Sequence, residues 1–229
     1  MHTCSYCKNT SIYFSRYSGR YYCKRHLKKT VEKRIEKELK KSIKRKVRNI
    51  EILAFNTQGV NTSLVLIEKI ERRYGVNLRV QMLTLGEPAY FKKLLDNLDI
   101  EYDIHFIRKE RSIIDQIIEK LISIMSENHT EAIATTFNLE DFSTLVLYTL
   151  IYAKLEYIPI LSEAHVVHPV SMIPREELDL YARICNIPQE KRVTLDENIE
   201  PILNEIAVRT PTIYYSLNNT YYKLAKLLR

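Results

Sequence analysis

Apolar and polar positions alternate along this chain in two rhythms, and each change of rhythm marks a new element. Over residues 27–47 the apolar side chains Leu27, Val31, Ile35, Leu39 and Ile43 recur every fourth position. That is the spacing of a helix with a narrow apolar stripe and a broad polar face. Further on, short apolar runs alternate with amphipathic stretches. Residues 50–55, 77–83, 101–107 and 132–136 read as strands, and 62–74, 88–98, 112–128 and 142–155 as helices. Residues 158–170 read as a short strand or loop. A helix over 175–184 with Pro174 in its first turn, a short helix over 200–208 and an aromatic terminal segment complete the chain. Strands separated by helices of this length predict a parallel sheet covered on both faces. In such a sheet, ligands sit at the carboxyl ends of the strands beside helix N-termini.

The first 26 residues follow neither rhythm. Cys4, Cys7, Cys23 and His26 form the pattern C-x2-C-x15-C-x2-H. Two donors separated by two residues make a tight knuckle, and a second pair across a hairpin completes a tetrahedral site for zinc. The hairpin is expected over 11–14 and 20–22, with its turn at Ser18 and Gly19. So small a unit has almost no core, so metal binding supplies most of its folding free energy. Four protein ligands leave no open position for a substrate water, which makes the expected zinc structural. His2 is a competing donor, but its spacing from Cys4 suits a knuckle less well. A disulfide is the weaker alternative for a chain expected in the reducing cytoplasm.

That location follows from the absence of a secretory-type apolar segment in "MHTCSYCKNT" and of any run long enough to span a membrane. With 229 residues, 45% of them hydrophobic and 28% charged, the chain has room for one full domain and a small appendage. Its net charge of +7 is unevenly placed. Residues 20–48 hold fourteen Lys or Arg against three Glu. Such a density attracts a polyanion such as nucleic acid, and the candidate phosphate contacts are Lys24, Arg25, Lys28, Lys29, Arg34 and Lys37. The alternative is a solvated basic helix that keeps the protein in solution. Tyr214, Tyr215, Tyr221 and Tyr222 are open to two readings, stacking on bases or packing on their own domain. His165 and His168, three residues apart in "EAHVVHPV", suit a strand edge or loop better than a metal site.

"EILAFNTQGVNTSLVLIEKI", residues 51–70, has the layout of a phosphate loop: an apolar strand, a polar turn with one glycine, then a helix. Taken with the knuckle and the basic helix before it, this order resembles the PP-loop ATP-pyrophosphatase family of tRNA 2-thiolation proteins, the TtuA type and the cytosolic tRNA thiouridylase relatives. The resemblance runs over nearly the whole chain and is most specific at the N-terminus. It implies a fold class of α/β with a small N-terminal zinc finger (1–27), a basic linker helix (28–48) and a Rossmann-like sheet of the adenine nucleotide alpha hydrolase type flanked by helices (49–192). A C-terminal helical extension (193–229) without the relatives' second zinc finger follows.

The family's S-G-G-x-D-S falls on Thr57-Gln58-Gly59-Val60-Asn61-Thr62, so one glycine and a hydroxyl remain. A glutamine at the other glycine restricts the close approach of backbone N–H groups to an anion, and Asn61 lacks the aspartate's charge. The family's D-E-G-I turn falls on Thr84-Leu85-Gly86-Glu87, with its acids displaced. Its A-T-G-H-N-L-D-D falls on residues 134–141, which keep Asn138, Leu139 and Asp141 but carry Thr136 and Phe137 for Gly-His. The vestigial nucleotide site is therefore Thr57, Gly59, Asn61, Thr62, Asn138 and Asp141. No cysteine stands near the end of the third strand, and Cys185 alone cannot hold an iron-sulfur cluster, so none is expected.

Three functions follow. The first is a catalytically degenerate relative that binds tRNA or forms a complex, as a homodimer or as a heterodimer with an active PP-loop paralog, and with a sulfur-carrier protein as a further partner. The second is an active ATP- and magnesium-dependent tRNA-adenylating sulfurtransferase with a relaxed loop. The third is a zinc-finger nucleic-acid binder unrelated to tRNA.

Overall fold

The structure is a computed structural model that describes residues 2–42, 47–127, 130–189 and 193–228. Ile43 of the apolar stripe and Asn128 lie outside the described residues. The knuckle is a hairpin of β1 (Tyr13–Ser15) and β2 (Arg20–Tyr22), paired antiparallel with Phe14 opposite Tyr21. Gly19 makes the turn in the left-handed region, at φ 64°, where glycine lacks the Cβ that penalises other residues.

Helix α1 (Lys24–Ser42) begins directly after Cys23, so His26 sits in its first turn and the expected boundary at 27 falls inside it. Its stripe residues Leu27, Val31, Ile35 and Leu39 are at most 2% exposed. They share one core with the knuckle's Tyr13 and Tyr22 and with side chains of the main domain. A segment expected to link two units is instead a core helix of the larger one. Polar ties reinforce the packing: Glu32 accepts from Lys69 and Tyr181, both at 2.7 Å.

Five parallel strands follow: β3 (Asn49–Phe55), β4 (Asn77–Thr84), β5 (Glu101–Phe106), β6 (Ala132–Thr135) and β7 (Val166–Val167), in the order β5-β4-β3-β6-β7. Period-two alternation on β3 sends Ile50, Ile52 and Ala54 into one core and Leu53 and Phe55 into the other, as a sheet covered on both sides requires. The first core contains residues of α2 (Val60–Glu71) and α3 (Ala89–Leu98). It also receives Leu178 and Tyr181 from α7 (Arg175–Cys185), whose N-cap is Pro174. The second core is built from α4 (Ile113–Met125), α5 (Leu139–Ile151), α6 (Tyr157–Leu161), α8 (Ile199–Arg209) and α9 (Ile213–Leu227). Ser112 caps α4 by accepting from Asp115 N–H at 3.2 Å.

The C-terminal helices thus complete the domain's second core. Tyr214 and Tyr221 are 5% and 2% exposed within it, which decides their two readings in favour of packing. His168 is buried, linked to Thr135 at 2.8 Å and to the Leu161 carbonyl at 2.9 Å, and does not join His165 in a metal site. Among the described residues, no helix is long and apolar enough to cross a membrane.

Candidate metal centre and nucleotide crevice

The hairpin and the first turn of α1 bring four donor atoms together. The ligand atoms of Cys4, Cys7, Cys23 and His26 all lie within 4.8 Å of one another. Cys7 and Cys23 sulfurs are 3.7 Å apart, and His26 Nδ1 lies 3.4 Å from the sulfurs of both Cys4 and Cys23. A tetrahedron with bonds of about 2.3 Å to sulfur and 2.0 Å to nitrogen has edges of roughly 3.8 Å and 3.5 Å, so the donor set fits zinc. Burial works against a Cys4 thiolate, but backbone N–H groups of Tyr6 and Cys23, with the side chains of Cys23 and His26, together lower the thiol to about 6. His2 stacks on Tyr21 instead, with ring centroids 4.3 Å apart.

In the sheet, strand order reverses between β3 and β6, and the crevice of a doubly wound fold lies at that point. The loops that leave these strands, residues 56–59 and 136–138, carry the sequence's nucleotide candidates. Thr57 donates to Asp141 Oδ2 at 2.8 Å, and Asn138 Nδ2 donates to the Gln58 carbonyl at 2.9 Å, spanning the crevice. Gln58 Nε2 donates to Asp179 of α7. Asn138 and Asp141 form a reciprocal capping box at the start of α5. Asp141 also pairs with Arg175 at 3.0 Å, whose backbone N–H donates to Glu140 at 2.8 Å. Burial pushes the Glu140 carboxyl up to about 7 despite this neighbour.

The start of α2 is covered as well. Asn61, Thr62 and Ser63 are fully buried beneath the segment after α7. Asn61 Nδ2 donates to the Pro188 carbonyl at 2.7 Å, Gln189 Nε2 to Thr62 Oγ1 at 3.1 Å, and Val193 N–H to the Asn56 carbonyl at 2.9 Å. Gly59 sits at φ 90°, and a Cβ there would meet Leu178 at 3.1 Å. This glycine thus has a packing reason to be glycine. Phe137 is fully buried in the second core. The loop's partners Asp179, Arg175, Pro188 and Gln189 gave no sequence signal, because each lies more than a hundred residues from the loop or outside any family motif.

The basic residues divide. Lys24, Arg25, Lys29 and Lys37 are exposed and have no ion-pair partner among the described residues. Lys28 is half-buried, its ammonium 5.8 Å from the Tyr181 ring centroid. Arg34 corrects the expectation of a solvent-facing phosphate contact. It flanks the buried stripe, pairs with Glu177 at 2.6 Å, and donates to Tyr215 at 3.1 Å and to the Met172 carbonyl. Cys185 ends α7, half-buried and packed against the first core.

The fold is a Rossmann-like α/β sheet with an N-terminal Cys/His cluster. No known family's sequence profile matches the chain, and no curated protein matches it. Among solved structures, it is similar to the U34-tRNA thiolase NcsA of Methanococcus maripaludis, described with its [4Fe-4S] cluster. The TM-score is 0.78 at 19% identity, over 98% of this chain and 87% of that one. An NH3-dependent NAD synthetase of Campylobacter jejuni aligns at 16% identity and TM-score 0.45, over 88% and 94% of the two chains. An NAD+ synthetase of Burkholderia pseudomallei aligns at 12% and 0.39, over 78% and 74%. At such scores the synthetases have no bearing on the site, and at 19% identity the thiolase establishes the fold alone.

Proposed function

We propose that this chain is a degenerate member of the tRNA-thiolation PP-loop proteins and works as a tRNA-binding or complex-forming subunit, without adenylating tRNA itself. The observation that carries this reading is that side chains of the loop bond to other residues of the chain, while Asn56 Oδ1, Asn61 Oδ1, Ser63 Oγ and Thr136 Oγ1 are buried there without a partner among the described residues. A phosphate loop functions by leaving N–H groups and a helix N-terminus open to an anion. Here Thr57, Gln58, Asn61 and Thr62 engage Asp141, Asp179, Pro188 and Gln189. The cluster named in the thiolase's description belongs to that protein. On this reading the present chain carries none, since three of its four cysteines converge on the metal centre and Cys185 lies at the end of α7.

The RNA side of the reading rests on the exposed cations of α1 and on the thiolase, whose description names U34 of tRNA as its target. An active paralog, in a heterodimer, would supply the nucleotide chemistry. A homodimer and a sulfur-carrier protein are further partners in the same scheme, which belongs to the cytoplasm.

Calorimetric titration of the zinc-loaded protein with ATP and magnesium, with and without bulk tRNA, tests it. The expected result is no ATP binding and tRNA binding that weakens as salt rises. Micromolar ATP binding with pyrophosphate release would overturn it in favour of an active adenylating enzyme.

A further inference from the structure

The outward face of the zinc hairpin carries an aromatic ladder that the fold does not use. Tyr13 and Tyr22 point inward and join the first core. Their neighbours Phe14 and Tyr21 form a cross-strand pair on the opposite face, with ring centroids 4.7 Å apart. His2 extends the row, stacked on Tyr21 at 4.3 Å and tilted by only 19°. Phe14 is 44% exposed, and Ile12, just before the strand, is 40% exposed. A cross-strand aromatic pair does stabilise a hairpin. This hairpin, however, is already held by the metal donors on one side and by Tyr13 and Tyr22 on the other.

The charge around the ladder selects its occupant. Residues 1–31 contain seven Lys or Arg and no Asp or Glu. Arg16 and Arg20 are exposed on the hairpin, Arg20 donating to the Tyr6 hydroxyl, Lys8 is exposed just before it, and the exposed cations of α1 follow directly. Aromatic rings on a segment whose charged side chains are all cationic suit a chain of bases and phosphates, with rings taking the bases and cations the backbone. An acidic protein would use the cations but not the rings. A paired helix keeps its bases stacked inside and would leave the rings unfilled.

We propose that His2, Tyr21 and Phe14 form a stacking platform for unpaired bases of the bound RNA. The idea deepens the tRNA-binding reading and rests on it. It specifies that the finger recognises a loop or single-stranded end, while α1 tracks the phosphates.

The test uses the full zinc-loaded chain and three probes: a single-stranded RNA of about 12 nucleotides carrying 2-aminopurine, a duplex of the same length, and bulk tRNA. Binding is expected to quench the 2-aminopurine, as stacking does. Phe14→Ala with Tyr21→Ala is expected to weaken single-strand binding by about tenfold or more and to leave the salt dependence unchanged. Phe14→Leu with Tyr21→Ile keeps bulk and strand propensity but removes the π-faces, so the loss should persist in a variant that retains full zinc content and the wild-type melt. If that variant binds the single strand as tightly as the wild type while tRNA binding stays salt-sensitive, the platform is wrong and the tRNA reading stands. If the wild type prefers the duplex, the platform is also wrong. If it binds neither tRNA nor single strand, both fall.

Discussion

The zinc module and the sheet crevice start from similar materials, polar side chains clustered on a turn beside a helix N-terminus, and end in opposite conditions. In the module, Cys4, Cys7, Cys23 and His26 converge on one another. Of the cations that follow, Lys24, Arg25, Lys29 and Lys37 face solvent with no ion-pair partner among the described residues. At the crevice, hydroxyl, amide and carboxylate groups pair across the gap, Thr57 with Asp141, Asn138 with Gln58, Asp141 with Arg175. Buried polar groups must be satisfied, and an internal partner meets that need as well as a ligand does. On the proposed reading, a motif keeps its backbone layout while its ligand-binding chemistry has been turned to holding the fold.

The largest effect should come from the metal. Structural zinc contributes on the order of 10 kcal/mol to a small knuckle, and here the knuckle's Tyr13 and Tyr22 share a core with α1. Chelation, or Cys23→Ser, is expected to lower the melting temperature by at least about 10 °C, followed by circular dichroism. Cys185→Ser, outside the metal group, should shift it by no more than about 2 °C. Equal effects from the two cysteines would remove the distinction between ligand site and filler.

Next comes Asp141→Ala, which takes away the N3 acid of the α5 capping box, the acceptor for Thr57 and a partner of the buried Arg175. Leaving a buried charge short of its partner costs about 4 kcal/mol, to be read as a lower urea midpoint with tRNA affinity unchanged. ATP binding that emerged in this variant would mean that the crevice is closed by that one carboxylate, and the contrast with the module would weaken.

How much of this the sequence disclosed depends on the range of the interaction. The four Cys and His donors and the described part of the α1 stripe are local patterns, and the fold brings each set together. The strands of the sheet fall where expected, within a residue or two, apart from the two-residue β7, which is too short to show a period. That α1 is a core helix could not be read, because Glu32 and Arg34 find their partners on α2, α7 and α9. The crevice is the extreme case: Gln58 and Asp179 lie 121 residues apart. The sequence shows the residues of the loop, but only the fold shows what they bond to.

A smaller effect tests the crevice wall by pH. Burial lowers the His168 imidazole to about 4 from an ordinary 6.5. Its Nε2–H donates to the Leu161 carbonyl, an acceptor only, so Nδ1 accepts from the Thr135 hydroxyl and the ring is neutral. The unfolded chain takes up a proton near 6.5 and the folded one only near 4. Stability is therefore full above about 6.5 and is lost as pH falls toward 4, by about 3 kcal/mol. Glu140, raised to about 7, acts in the opposite direction, losing stability as pH rises between 4.5 and 7. Urea midpoints of the wild type and His168→Gln over this range separate the two. The difference between the proteins should shrink as the pH falls, and a constant difference would show that His168 titrates normally.

The smallest effects draw the sharpest line, because they divide two cations five residues apart on one helix. Arg34 holds Glu177, whose side chain is 4% exposed, while Arg34 itself is 31% exposed. Discounted for that partial solvation, Arg34→Ala should cost about 2 kcal/mol of stability. It should leave the salt dependence of tRNA binding as it was, because its charge is already spent on a carboxylate. Lys29 faces solvent with no ion-pair partner among the described residues. Lys29→Ala should change stability by no more than about 0.5 kcal/mol, yet reduce the slope of log affinity against log salt by about 1, the loss of one phosphate contact. Denaturation and salt-titrated anisotropy on the two variants give four numbers with a crossed pattern. If Arg34→Ala flattened the salt slope as much as Lys29→Ala, the arginine would leave Glu177 for phosphate when RNA binds, and α1 would be a single basic face after all.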